Sequence, residues 1–392
     1  MTDAYLDHAA STPVRPEAVA AMTPLLGSSF GNPSGSHHWA REARRLLDDA
    51  RDQVADALGV SPSEVVFTSG GTEADNTAVM GVVAARGGRA LCSAVEHSAV
   101  LEPVKATGGV FAPVDGAGRL DLDALAGLLT ANPDITLVSA MTANNETGAV
   151  QDLSQVADVV RSQAPKALLH TDAVAAAPWI DLAPVSDAVD LLTVSAHKLG
   201  GPKGIGALVV RTGTKITPLV RGGGQEQERR SGTPNVMGAV GFAAALSACV
   251  ANRDQTVART EALRHRLIDG LVAAAPDAVV VSPPSATDRT AGTVLVCFPG
   301  IEREALLFLL DQAGLGASWG SSCASGASEP SHVLAAMGVP SHVSRGALRL
   351  SLGWSSTDAD VDAALAAVPA AVNQLRGGDP VPAGAPEVGA IR

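Results

Sequence analysis

Short apolar runs alternate with longer amphipathic stretches along most of the chain. The runs at 64–68, 89–93, 110–114, 135–141, 167–172, 190–194 and 206–210 are rich in Val, Leu, Ile and Ala, and are too short for helices. That is the pattern of buried strands. Between them, residues 39–58, 97–107, 122–129 and 153–163 carry apolar side chains at helical spacing, as does the stretch opening near Thr72 with Ala74, Ala78, Val79, Val82 and Val83 as its inner face. Strand and helix in turn predict an α/β fold, with a mainly parallel sheet covered on both faces.

The pattern changes after residue 211. A glycine-rich polar loop with clustered arginines, 220–235, is followed by a helical region over 236–275 and a Pro/Ser-rich break at 276–288. A strand at 293–298, a helix at 302–313, a helix after Pro330, a strand at 347–352 and a helix from 357 to about 375 complete a second unit. This divides the chain into an N-terminal segment, 1–15, a large domain, 16–255, a smaller α+β domain, 256–376, and a Pro/Gly-rich tail, 377–392. The N-terminal segment is expected to pack near the small domain.

Composition narrows the function. Of 392 residues, 46% are hydrophobic and 17% charged, enough for a large core, and the 3% of aromatics leaves packing to Ala, Val and Leu. A net charge of −12 argues against a nucleic-acid backbone or an anionic membrane as partner, so an anionic ligand must be met by local groups. With no secretory pattern at the start and no apolar run of membrane-spanning length, a cytoplasmic enzyme is expected. Cys92, Cys249 and Cys297 lie in apolar contexts without metal or disulfide spacing and read as core positions. Cys323 lies among small polar residues, where a reactive thiol is favoured.

In such sheets, ligands gather beyond the carboxyl ends of the strands. Thr72, His97, Asn145, Asp172 and Lys198 all fall at or just past such ends. Each has a dull explanation: Thr72 as a helix cap in Ser69-Gly70-Gly71-Thr72, His97 as a cap, Asn145 as a turn former, Asp172 as a cap, Lys198 as a loop lysine before Gly200-Gly201-Pro202. Taken together they supply an anion cradle, a ring able to stack, a carboxylate and an amine. Pyridoxal phosphate asks for that set, with a lysine for the Schiff base and an aspartate for the ring nitrogen. Arg349, alternating with Leu348 and Leu350, either forks onto a carboxylate or is an exposed strand arginine.

The ordered motifs Tyr5-Leu6-Asp7, Gly31-Asn32-Pro33-Ser34, Thr68-Ser69-Gly70-Gly71-Thr72-Glu73-Ala74-Asp75-Asn76, Val95-Glu96-His97, Asn144-Asn145-Glu146-Thr147-Gly148, Ser195-Ala196-His197-Lys198, Arg230-Ser231-Gly232-Thr233-Pro234, Ser321-Ser322-Cys323 and Arg349-Leu350-Ser351-Leu352-Gly353 span nearly the whole chain. With them the sequence resembles the pyridoxal-phosphate-dependent cysteine desulfurases of the class V aminotransferase family, which share the fold-type I architecture with its seven-stranded large-domain sheet. The resemblance implies that Lys198 carries the cofactor, that His97 stacks on its ring and assists proton transfer, and that Asp172 pairs with the ring nitrogen. It implies a phosphate site from Gly71, Thr72, Ser195 and His197, with Thr233 reaching in from the partner subunit of a homodimer. Asn145 would contact cofactor or substrate, Asn32 and Arg349 the substrate, and Cys323 would take sulfur from L-cysteine as a persulfide and pass it to an acceptor protein such as an iron–sulfur scaffold. No metal, nucleic acid or membrane is implied.

One position departs from the pattern. The family usually has Asp-Ala-x-Gln, whose glutamine bonds the ring hydroxyl; here the segment is Asp172-Ala173-Val174-Ala175. Ala175 gives weight to a selenocysteine lyase or another carbon–sulfur lyase as the alternative, and predicts an altered ionisation of the bound cofactor.

Overall fold

The computed structural model describes residues 3–320 and 331–377. Seven strands form one sheet in the order Val65–Thr68, Gly206–Val210, Leu191–Ser195, Leu168–Asp172, Ile135–Ser139, Arg89–Ser93, Val110–Ala112. All neighbouring pairs are parallel except the two that Gly206–Val210 makes, because it returns directly from Leu191–Ser195 through the turn that holds Lys198. A tight return reverses direction, whereas the other connections cross over through helices. Alanines and valines pack both faces: Ala43, Leu47 and Val54 of helix His38–Leu58 on one side, Ala74, Ala78, Val79 and Val82 of helix Gly71–Arg86 on the other.

A second core gathers around the three-stranded antiparallel sheet Ala347–Ser351, Thr293–Cys297, Val279–Val280, packed by helices Arg253–Ala274, Arg303–Gln312 and Asp358–Arg376. Ala4 and Leu6 belong to this core, and Ala4–Tyr5 pairs in parallel with Leu315–Gly316. Residues 4–6 thus pack on this second core. The helical region expected over 236–275 is two helices, Val236–Ala251 and Arg253–Ala274, meeting at 70°. Asn252 at the break, with φ −111° and ψ 12°, separates a helix buried against the large sheet from one buried in the second core. The strand expected at 110–114 ends at Ala112, and that expected at 135–141 ends at Ser139, where the chain turns into the site.

Cys92, Cys249 and Cys297 are buried free thiols, as expected of core positions. Burial pushes the Cys297 thiol up to about 12. Among the described residues no single helix is long and apolar enough to cross a membrane.

Candidate active site

The strand Leu191–Ser195 ends in a single 3-10 turn, Ala196–Lys198, closed by Leu199 N–H and Gly201 N–H donating to the Ala196 carbonyl at 3.1 and 2.9 Å. Gly200 follows at φ 92°, where any Cβ would also strike Arg15 Cγ at 2.3 Å. The N-terminal segment grips this turn. Thr12 donates from its N–H and hydroxyl to the His197 carbonyl at 3.0 and 2.8 Å, and Arg15 Nε donates to the Leu199 carbonyl at 2.8 Å. Lys198 Nζ donates to the Ala9 carbonyl. The lysine is therefore fixed from both sides and faces inward.

It faces a cavity lined by Ala9, Ala10, Gly71, Thr72, Asp75, His97, Met141, Asn145, Asp172, Val174, Ala175, Ser195, His197, Lys198, Gly320 and Arg349. Lys198, His97, Asp172, Asn145, Thr72, Gly71, Ser195, His197 and Arg349 thus come together from six different segments. Asn32 and Thr233 do not: both are exposed and neither lines the cavity. Asn32 instead accepts a hydrogen bond from Ser34 N–H at 3.0 Å within its own loop. Cys323 lies outside the described residues.

At one end, the strand Val65–Thr68 feeds Gly70, whose φ of 151° and ψ of −174° are reserved for glycine, and helix Gly71–Arg86 begins immediately. The first turn of that helix presents Thr72 to the cavity, and Ser195 Oγ, buried beside it, has no hydrogen-bond partner. His197 Nδ1 lies 3.3 Å from Ser11 Oγ; burial, then the nearby Lys198 and Lys203, lower its pKa to about 4, so the ring is neutral at pH 7. A more open cleft beside it is lined by Ser11, Ser69, Gly70, Thr72, His197 and Lys203. A helix start, free hydroxyls and a nearby lysine make an anion site.

At the other end lie acids. Asp172 Oδ1 accepts from Val174 N–H at 2.8 Å, and burial raises its carboxyl above the ordinary value while His97 and Lys198 oppose this. Asp75, three residues after Thr72 on the same helix face, has an Oδ1 with no hydrogen bond, 3.6 Å from His170 Nε2. That histidine gives no charge in return: both nitrogens meet hydroxyls, Ser139 Oγ at 2.9 Å and Thr193 Oγ1 at 3.1 Å, and burial lowers its pKa to about 3. Glu96 accepts from Met141 N–H at 2.6 Å, and burial lifts its carboxyl to about 8. A buried carboxyl at Asp172, which lines the cavity, would suit a positively charged ring nitrogen. His97 Nδ1 accepts from Ala99 N–H at 3.1 Å, and burial lowers its pKa, so the neutral ring carries its proton on Nε2.

Arg349 is not an exposed strand arginine. It is 1% exposed, donates from Nη1 to the carbonyls of Asn145 and Gly320 at 3.0 and 2.6 Å, and pairs through Nη2 with Asp7 Oδ1 at 2.8 Å. Sequence reasoning gave no role to Asp7, Ala9, Ser11, Asp75 or Lys203. Of these, Asp75 carried a signal: its spacing of one helical turn from Thr72.

Residues 4–364 match the family model described as aminotransferase class-V, and the chain belongs to that family. Within it, the chain is similar to proteins named cysteine desulfurase. A cysteine desulfurase of Cereibacter sphaeroides is 43% identical over 397 aligned residues, covering 99% of this chain and 100% of that protein. An IscS-like cysteine desulfurase of Mycobacterium tuberculosis is 42% identical over 385 residues, 95% of this chain and 97% of that protein. The X-ray structure of a NifS-like protein from Rickettsia africae superposes with a TM-score of 0.87 at 30% identity, covering 95% of this chain and all of that one.

Proposed function

We propose that this protein is a pyridoxal-phosphate-dependent cysteine desulfurase that works as a homodimer, converting L-cysteine to L-alanine and passing the sulfur through Cys323 to an acceptor protein. The observation that carries this reading is the single cavity in which Lys198, Asp172, His97, the helix start at Gly71–Thr72 and the buried Arg349 meet.

The residues fit the cofactor: Thr72, Ser195 and His197, with the N–H groups at the helix start, would hold its phosphate, Asp172 its ring nitrogen and Lys198 its carbonyl carbon. When bound, the cofactor supplies an electron sink for the substrate Cα. Lys198 Nζ would take the Cα proton. Arg349 receives the substrate carboxylate, with Asn145 beside it. His97 Nε2–H would be a proton donor in this cavity. The Cys323 thiolate attacks the substrate sulfur; the sulfur–sulfur bond forms as the carbon–sulfur bond breaks, and the carbon, keeping the electron pair, is protonated to give alanine. L-Cysteine and one thiol thus yield L-alanine and one persulfide.

The exposure of Thr233 and Asn32 away from their own cavity supports a dimer in which each serves the partner's site. So do the exposed apolar side chains near Asn32: Leu26 at 70%, Phe30 at 73% and Trp39 at 51% exposure. The test is incubation with L-cysteine, assaying L-alanine together with mass spectrometry of the Cys323 peptide. Persulfide on that peptide, lost with alanine formation in Cys323→Ser, is expected. Turnover retained by Cys323→Ser would mean a lyase that releases sulfide directly.

A further inference from the structure

The guanidinium of Arg349 already has an acid of its own. Arg349 and Asp7 form a pair at 2.8 Å with side chains 2% and 18% exposed, and Asp7 does not line the cavity that Arg349 lines. Asp7 therefore sits behind the arginine as the substrate sees it. The position is fixed by backbone: Tyr5 Oη and Ala10 N–H donate to the Asp7 carbonyl, and Asp7 bridges in parallel to Ser351, two residues from Arg349 on its strand. Of the five N–H donors of an arginine, three are engaged by Asn145, Gly320 and Asp7. Nε is buried without a partner, and one Nη2–H also remains uncommitted.

We infer that Asp7 is a positioning residue that sets how tightly Arg349 holds a substrate carboxylate, by cancelling its charge while leaving part of its fork open. A second carboxylate arriving at Arg349 meets the field of the first. With the Arg349–Asp7 pair itself buried, that repulsion is felt at several ångströms. The consequence is a site that grips a carboxylate by geometry but weakly by charge, and so releases L-alanine readily. This rests on the reading above that Arg349 receives the substrate carboxylate.

Asp7→Asn separates charge from geometry, because the amide oxygen can still accept from Nη2. The experiment titrates the holoenzyme with L-alanine, following the absorbance of the bound cofactor, and repeats the titration with L-alaninamide, which has the amine but no carboxylate. Asp7→Asn is expected to bind L-alanine roughly tenfold more tightly, the change that about 1.4 kcal/mol of relieved repulsion gives. Alaninamide binding should not change, and Asp7→Glu should restore wild-type affinity. KM for L-cysteine should fall, with kcat falling too as product lingers. Unchanged or weaker L-alanine binding in folded Asp7→Asn, or an equal gain for alaninamide, overturns the inference. Should Asp7→Asn fail to fold, Asp7→Ser carries the same expectation; if neither neutral variant folds, Asp7 is a structural residue and the inference fails. A wild-type holoenzyme whose spectrum ignores both L-alanine and L-cysteine would instead sink the functional reading itself.

Discussion

Arg51 and Glu226 form a two-pronged ion pair, 2.7 Å at each oxygen, with side chains only 10% and 4% exposed. Glu226 Oε2 also accepts from Phe67 N–H at 2.9 Å, so a loop carboxylate is anchored to the strand that leads into Gly70–Thr72. The anchor holds an unusual backbone: Glu226, Gln227 and Glu228 have φ of 48°, 57° and 65° in succession. Non-glycine residues there are strained unless the surroundings hold them. A second pair, Arg230 Nε to Glu73 Oε1 at 2.8 Å, ties the same loop to the first turn of the helix that carries Thr72. Glu226→Gln leaves Arg51 without a counter-charge and should cost about 3 kcal/mol, as breaking one side of a buried pair does. Denaturant unfolding at pH 7 measures it; stability equal to wild type would show that the pair does not hold the loop.

Buried neutral histidines make the fold acid-sensitive. His8 and His197 are lowered to about 4 and His170 to about 3, chiefly by burial, from an ordinary 6.5. Between those values the unfolded chain binds protons that the folded protein does not, so stability falls as pH drops from 6.5 towards 4 and below. His170→Gln should shallow that decline in urea unfolding measured across the window, and an unchanged slope would contradict the assignment.

Glu96 works in the opposite direction. Its carboxyl stays protonated in the fold up to about 8 while the unfolded chain ionises near 4.5, so stability is lost as pH rises between the two. Glu96→Gln keeps an oxygen for Met141 N–H and should flatten this limb in the cofactor-free protein. Parallel curves for variant and wild type would show that Glu96 ionises normally.

Ala175 lines the cavity beside Val174, where the family pattern has a glutamine. Without an amide to bond the ring hydroxyl, the bound cofactor should ionise at a different pH from that of Ala175→Gln. Absorbance titrations of the two holoenzymes check this, and superimposable curves would remove any role for the substitution.

The seven strands of the large sheet were legible because apolar runs bounded by Gly and polar residues have no other stable setting in a chain this long. The two-residue strands Ala4–Tyr5, Leu315–Gly316 and Val279–Val280 were not, since two residues carry no period. Nor was the bend at Asn252, where neither Gly nor Pro marks the break and only the two separate cores explain it. In the site, residues at strand ends could be read from position: Lys198, Asp172 and Thr72 are where an α/β sheet gathers ligands. The burial of Asp75, Glu96 and Arg349 could not, because charged side chains alternate with apolar ones on exposed strands and helices too. The grip of residues 9–15 on the lysine turn is set by contacts some 185 positions apart, beyond any local pattern.

The central claim is that the amine of Lys198 carries the cofactor in this cavity. Reduction of the purified holoenzyme with borohydride, followed by peptide mass mapping, tests it directly. The account predicts the cofactor mass on the peptide containing Lys198 and none on Lys203, with Lys198→Ala unable to retain the group. Attachment at another lysine, or no covalent attachment in a folded protein supplied with pyridoxal phosphate, would contradict it.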